Sequence, residues 1–313
     1  SQLTSQRDAT LASLTMTGSE AAFGNTTVAG DVSVTGGVLT TGNLTGQNLT
    51  VRDQASVNGK TAHVASFDAK DGTIVLDAIT SDGTILLDNT TLKGHVVSGA
   101  DMIVTNAGAV TSTGATTLDS LTMTNAEDSS FGDLTVNGNV SLTGTKLTAN
   151  LVKGGDTTLS ASDITSKGTT ELTSLAMTNG SNAVFGTLTI GGTFDVNGSI
   201  LSANIAEAGI ATVTNGGKVT STGKTTLASL TMTDAQESSF GDLTVTGDVN
   251  LTNTKLTANL ASGEDVDLTG STLVSTGVSN LTTLSLAEGS DAQFGSVNVA
   301  GNLDVNASVL KGE

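Results

Sequence analysis

Five Phe-Gly pairs punctuate this chain, at Phe23, Phe131, Phe185, Phe240 and Phe294. The last four follow one another at sequence steps of 54, 55 and 54, and Phe23 precedes Phe131 by 108, twice the same step. The text around them also repeats. SSFGDLTVNGNVSLTGTK at 129–146 returns as SSFGDLTVTGDVNLTNTK at 238–255, and more loosely as AVFGTLTIGGTFDVNGSI at 183–200. A fixed step with restated wording is the signature of a repeat architecture. Each 54-residue unit divides again into blocks of roughly 18, the size class of solenoid coils. The blocks run from 111–128 through 292–309 almost without loss of frame, and 313 residues hold about 17 of them.

Within a block the apolar residues alternate, as in Leu121/Met123, Leu134/Val136 and Val140/Leu142. That is strand periodicity in short runs, broken by Gly, Asn and Asp. Asn-Gly at Asn137, Asn179, Asn197 and Asn215 is expected to supply positive φ at tight corners. Thr, Ser, Asn, Gly and Val are poor helix formers. The pattern predicts an all-β chain, a parallel β-helix (β-solenoid) of about 17 coils of ~18 residues grouped in ~54-residue units. Its strands would stack about 4.8 Å apart. With 7 Phe and no Trp or Tyr, the interior must be thin and aliphatic. The absence of Pro fits, since each Pro would delete a ladder hydrogen bond. Ser/Thr/Gly richness alone would suit a disordered tract, but a mean hydropathy of +0.11 and a strict apolar period do not. The whole of 1–313 reads as one solenoid domain without separate caps, with diverged coils at 39–110.

GGDTTLSASDITSKG at 154–168 and GEDVDLTGSTLVSTG at 263–277 resemble the coils of bacterial secreted adhesins of the filamentous-haemagglutinin type. DLTVNGNVSLTGTKLTAN at 133–150 is similar to the shaft repeats of phage tail fibres, which are trimeric. Both resemblances imply extended extracellular or cell-surface structures rather than enzymes. The adhesin family's N-terminal secretion domain has no counterpart in these residues.

Composition narrows the partners. Thirty acidic residues against 12 basic give a net charge of −18, and no basic block exists to neutralise nucleic-acid phosphates. No apolar run approaches a membrane-spanning length. Without Cys there are neither disulfides nor thiolate metal sites. Both ends stand in repeat phase, so the expected partners are either copies of the chain stacked head to tail or flanking domains of a longer chain.

Candidate sites are few. Glu127, Asp128, Asp234, Glu237 and Asp291 recur near coil ends, where oxygen-rich corners can hold a hard cation such as calcium. The competing reading is that these charges keep a rod soluble and block lateral sheet pairing. The nonapeptide of calcium-binding β-rolls is absent, since GGDTTLSAS at Gly154 lacks its third Gly. Residues 39–110 hold both histidines and Arg52, Lys60, Lys70, Asp68, Asp71, Asp77, Asp82 and Asp88. A carbohydrate-active enzyme on this fold would draw on His63, Asp68 and Asp71 there. It would need converging carboxylates in a groove walled by long loops, which constant coil length does not provide. No catalytic residue and no cofactor are therefore expected. Thr-x-Thr at Thr15, Thr122 and Thr231 suggests an ice- or carbohydrate-binding face, but Asp195/Asn197 and Asp304/Asn306 interrupt the array. Asn-x-Ser/Thr occurs ten times, as at Asn25, Asn89 and Asn306, and offers glycosylation acceptors if the chain is secreted. The reading that collects these features is a structural, non-enzymatic extracellular β-solenoid, either a head-to-tail filament subunit or the shaft of a surface adhesin. A trimeric tail-fibre shaft and a carbohydrate- or ice-binding β-helix are the alternatives.

Overall fold

The computed structural model describes residues 1–312, all in strands, corners and bends with no helix. The chain forms two compact units, residues 1–155 and 156–313. In each, the backbone winds as a parallel β-solenoid, with about 17 coils in all, each the length of one sequence block. The first turn shows the plan: β1 (Gln2–Thr4), β2 (Ala9–Leu11) and β3 (Leu14–Thr17), separated by three corners. Each strand pairs in parallel with its equivalent one turn later, Gln2 with Glu20, Ala9 with Thr26 and Leu14 with Val32. Residues 39–110 keep this winding. Val38 pairs with Ser56, Ser56 with Thr73 and Thr73 with Thr91, so the divergence lies in side chains and not in the backbone.

Period-2 alternation sends one set of side chains inward. On the third strand of unit 1 the inward column runs Val32, Leu49, Phe67, Ile85, Met102, Leu121 and Val140, all buried. In unit 2 the equivalent column pairs Phe194 with Ala211, a large residue seated on a small one. Strands stacked in register thus make a narrow, mostly aliphatic core, with Phe67 and Phe194 among its fully buried side chains.

The third corner carries one left-handed turn per coil, eight in unit 1 and nine in unit 2 among the described residues. Gly and Asn dominate these positions because they tolerate positive φ. Asn179 and Asn215 sit there with φ of 57° and 53°, as the Asn-Gly sequences predict. The expectation needs correction at the other two. At Asn197-Gly198 the glycine takes the left-handed conformation, with φ of 57°, and Asn137-Gly138 lies at the second corner without it. Repeat frame, not the dipeptide, decides which residue turns.

Immediately after that turn stands a small buried residue, often Ser or Thr, whose hydroxyl completes the ladder where strand pairing lapses. Ser290 Oγ accepts from the Ser271 N–H at 3.2 Å and donates to the Ala287 carbonyl at 2.6 Å. Ser271 Oγ does the same for the Thr254 N–H and the Thr269 carbonyl, at 3.1 and 2.9 Å. A buried N–H left without an acceptor is costly, so a hydroxyl at this point is structural. Ahead of Ala126 and Ala235, two left-handed residues in succession fold the amide onto its own turn. Gly108 N–H reaches Thr105 O at 2.9 Å ahead of Ala126, and Gly217 N–H reaches Thr214 O at 2.8 Å ahead of Ala235.

The first corner explains why the repeat spans three coils. Between buried inward residues it holds three residues in one coil (Ser221 to Thr225), two in the next (Phe240 to Leu243) and one in the third (Ala258 to Leu260). The Ser–Thr coil, the Phe-Gly coil and the Ala-Asn coil then recur in that order. Phe240 stacks in register on Ser221, as Phe131 does on Ser112 and Phe294 on Ser275. Inside the wide corner the two hydroxyls meet, Ser221 Oγ with Thr225 Oγ1 at 2.9 Å.

Candidate functional site

The outer surface is where function must be sought, because the interior is filled. On the third face of unit 1 the outward residues are mostly Thr and Ser, with Thr122 beside Ser141 and Thr124 beside Thr143. In unit 2, Thr212 pairs with Thr231 and Thr214 with Thr233. Asp195 and Asp304 fall in the same columns, so no unbroken Thr array forms. At the corners polar side chains form outer ladders. Asn259 Nδ2 donates to Asp242 Oδ1 at 2.8 Å, Ser120 Oγ to Asp101 Oδ1 at 2.5 Å, and Thr283 Oγ1 to Asp265 Oδ1 at 2.7 Å.

Residues 39–110 break this neutral surface. Arg52 clasps Asp68 through a short Nη2–Oδ2 ion pair, and its Nη1 donates to the Asp68 carbonyl at 2.9 Å. Lys70 faces Asp88 at 3.6 Å. Leu86 and Ile103 occupy the adjoining outward positions, in register with Asp68 and with each other. Around the third corner, Asp53, Gln54, Asp71, Gly72, Thr73 and Asn89 line an open depression of about 500 Å³. Asp71 there accepts from Asn89 Nδ2 at 2.7 Å. His63 lies on the second face, 3.6 Å from Asp82. His63, Asp68 and Asp71 are thus placed on three different sides of the coil and are not brought together.

The corner acids are likewise dispersed and engaged with neighbours. Asp128 faces Lys146 at 3.8 Å, Glu237 faces Lys255 at 2.8 Å, and Asp291 faces Lys311 at 3.3 Å, each pair one coil apart on the first face. Asp234 takes a left-handed corner (φ 50°) and accepts from Asn253 Nδ2 at 3.0 Å. Glu127 is exposed beside Asp128. Among the described residues, no three His, Asp or Glu side chains stand close enough to share a metal ion. Among the described residues, Asp195 and Asp267 have raised pKa values. Burial raises Asp195. Burial is also the main cause at Asp267, reinforced by the charges of Asp265 and Asp248 and opposed by a hydrogen bond from Ser285. Both carboxyls stand in outward columns of the third face, stacked between the neighbouring coils. No described helix is long and apolar enough to cross a membrane.

These features define a β-solenoid whose outward side chains are organised as ladders. Comparison of the chain with protein-family models, with curated proteins and with solved structures gives no match.

Sequence reasoning missed the hydroxyl ladder and the three corner widths. Their signals are present: Ser at the residue after many of the left-handed turns, and Ser-x-x-x-Thr/Ser opposite Phe-Gly and Ala-Asn-Leu.

Proposed function

We propose that this chain is a structural, non-enzymatic β-solenoid that serves as the shaft of an extracellular, cell-surface fibre of the adhesin kind. The observation that carries the reading is the ladder itself. Turns are joined by parallel backbone pairing, and in both units hydroxyl bridges at many corners and Asx/Ser/Thr ladders outside add to it. Such a stack resists bending and extension because load along its axis is shared by three strand ladders. The resemblance of 154–168 and 263–277 to secreted adhesin coils supports an extracellular setting. The net charge of −18 supports a surface that repels lateral association.

A second reading, a filament subunit that stacks head to tail, is favoured by exposed inward-type side chains on the end coils. Leu3 is 59% exposed, and Leu303 and Val305, in register with buried Leu284 and Leu286, are 53% and 41% exposed. Negative-stain electron microscopy of the purified chain, with and without calcium, separates the two. Discrete particles that keep their length across concentrations are expected of a shaft. Fibrils that lengthen with concentration would overturn it in favour of the filament, and a three-chain mass would favour the trimeric fibre.

A further inference from the structure

The first corner differs in width from coil to coil, and its residues interlock with those of the neighbouring coil. Asn204 and Asn259, the single corner residues of their coils, press into the wide corner of the coil that follows. A Cβ built on Gly223 would overlap Asn204 Oδ1, and one built on Gly277 would overlap Asn259 Oδ1. Glycine is required there because the preceding coil's Asn fills the space of a side chain. Gly114, at the same point in unit 1, lies against the backbone and ring of His95.

The coil of β1, β2 and β3 is of this same wide type. Ser5-Gln6-Arg7-Asp8-Ala9 matches Ser221-Thr222-Gly223-Lys224-Thr225, and 11–17 reads LASLTMT, identical to 227–233. The following Phe-Gly coil fixes the correspondence in space. Gly24 lies over Arg7 (3.1 Å from a Cβ on Gly24 to Arg7 C) as Gly241 lies over Gly223 (2.6 Å to its O) and Gly132 over Gly114 (2.6 Å to its O). Arg7 therefore stands where Gly114, Gly223 and Gly277 stand. Lys60, a long basic residue at a first corner, falls between the register pairs Thr41–Gly59 and Asn43–Thr61 and so stands opposite Gly42 of the preceding coil.

We infer that Arg7 makes the β1 edge selective: it accepts a coil whose first corner is closed by glycine and rejects one closed by asparagine, whichever polypeptide supplies that coil. The edge has apolar surface to offer. Leu3 is exposed where its equivalent Val219 is buried, and a cavity of about 230 Å³ opens between Leu3, Leu14, Met16, Ala21 and Phe23. Inward side chains of a matching coil would fill it. The partner is thus another parallel β-coil of stated shape, and the Asn-type contact that joins coils inside this chain is not available at this edge to a second copy. The inference concerns this selectivity alone and stands whether the chain is a shaft or a filament.

The test lengthens the full chain by a second copy of residues 182–216 joined ahead of Ser1, so that Ser1 follows as Gly217 does internally. One version keeps the Asn204 of the copy, the other carries Asn204→Gly in the copy only. Hydrogen exchange at the β1 amides reads whether the added coil has seated. Protection should rise about tenfold or more with the glycine version alone. Equal protection in both versions would overturn the inference, and so would no protection in either. The internal counterpart guards against a copy that fails to fold. Gly223→Arg should lower the denaturation midpoint, and Asn204→Gly with Gly223→Arg should recover most of that loss; independent, additive losses would overturn the proposal.

Discussion

The hydroxyl ladder makes a prediction that two chemically identical substitutions separate. Ser290 and Ser199 occupy equivalent buried positions in unit 2, each accepting a backbone N–H from the coil before, Ser271 and Ser181 respectively. The corners that deliver those amides differ. Gly270 is a single left-handed residue, and the Ser271 N–H goes to Ser290 Oγ. Asn179 and Gly180 are both left-handed, and they also bring the Ser181 N–H within 3.3 Å of Thr178 O. Ser290→Ala leaves the Ser271 amide buried without its acceptor, which costs about 1–3 kcal/mol. The Ala287 carbonyl keeps the Gly270 N–H at 3.1 Å, so the loss is concentrated in that one amide. Ser199→Ala leaves the Ser181 amide an acceptor in its own turn and should cost less than about 1 kcal/mol, within the range of a net hydrogen bond. Ala fits sterically at both places, since Ala126 and Ala235 hold the same position in other coils. Urea titration of both variants against the parent measures the difference. Site-resolved hydrogen exchange should show faster opening at Ser271 and little change at Ser181. Equal losses in the two variants would refute the reasoning, because they would mean that the turn geometry does not compensate for the hydroxyl.

Gly223→Ala puts a methyl group onto Asn204 Oδ1 and should cost about 1–3 kcal/mol as overpacking, measured by chemical denaturation. Asp267 has a raised pKa in the folded chain, so its protonated form is favoured by folding. The associated stability is fully present below the ordinary carboxyl value of 3.8 and is lost as pH rises through the higher folded value. Asp267→Asn should accordingly stabilise the chain at neutral pH, with the gain disappearing in acid; a gain that persists unchanged below pH 3.8 would contradict this. Of the five Asn-Gly sequences, the four at Asn137, Asn179, Asn197 and Asn215 should resist deamidation while folded. Succinimide closure needs the glycine nitrogen free to attack, and those of Gly138, Gly180, Gly198 and Gly216 donate to Asp119, Gly198, Thr214 and Asp234 carbonyls at 2.7–3.1 Å. Peptide mapping after prolonged incubation should find Asp or isoAsp at Asn137, Asn179, Asn197 and Asn215 in denaturant and little of it in the folded chain.

Much of the fold could be read directly from residue order. Alternation gave the strands, the repeating block gave the coil, and frame retention implied a stack without long loops. Corner chemistry was only half legible. Asn-Gly at 179–180 and 215–216 marks left-handed turns because both residues lie in the third corner, whereas Asn137-Gly138 has the same letters at a corner that turns without positive φ. The dipeptide states a capacity, and the position in the coil decides its use. Corner acids were legible as a recurring set but not as ion pairs. Asp128 and Lys146, or Glu237 and Lys255, are a whole coil apart in the chain and meet only because the winding returns it to the same face. For the same reason the charges gathered in the sequence of 39–110 are distributed around the coil: His63 lies on the second face, Asp68 on the third and Asp71 at the third corner. Sequence proximity over one turn of a solenoid means different faces, and proximity in space needs one whole coil of separation.

That geometry also accounts for the repetition of three coils rather than one. If every coil were alike, a one-coil duplication would stack anywhere and the period would drift freely. Here the coils are cut to fit a particular neighbour: Phe240 seats on Ser221, the Leu260 N–H donates to Ser275 Oγ at 3.1 Å, and Asn259 occupies the space left by Gly277. Third strands advance by unequal steps that compensate: Leu230 stacks on Val249, Val249 on Val266 and Val266 on Leu284, a long step, a short one and an intermediate one. A single coil inserted into this series would put Asn against a side chain at one junction and leave a buried amide without its hydroxyl at another. Three coils inserted together restore the order of wide, intermediate and narrow first corners, and with it the seating of Phe on Ser and of Asn against Gly. The smallest segment that can be added or removed without a penalty at its junctions is therefore the three-coil unit, and that is the step at which the Phe-Gly pairs recur.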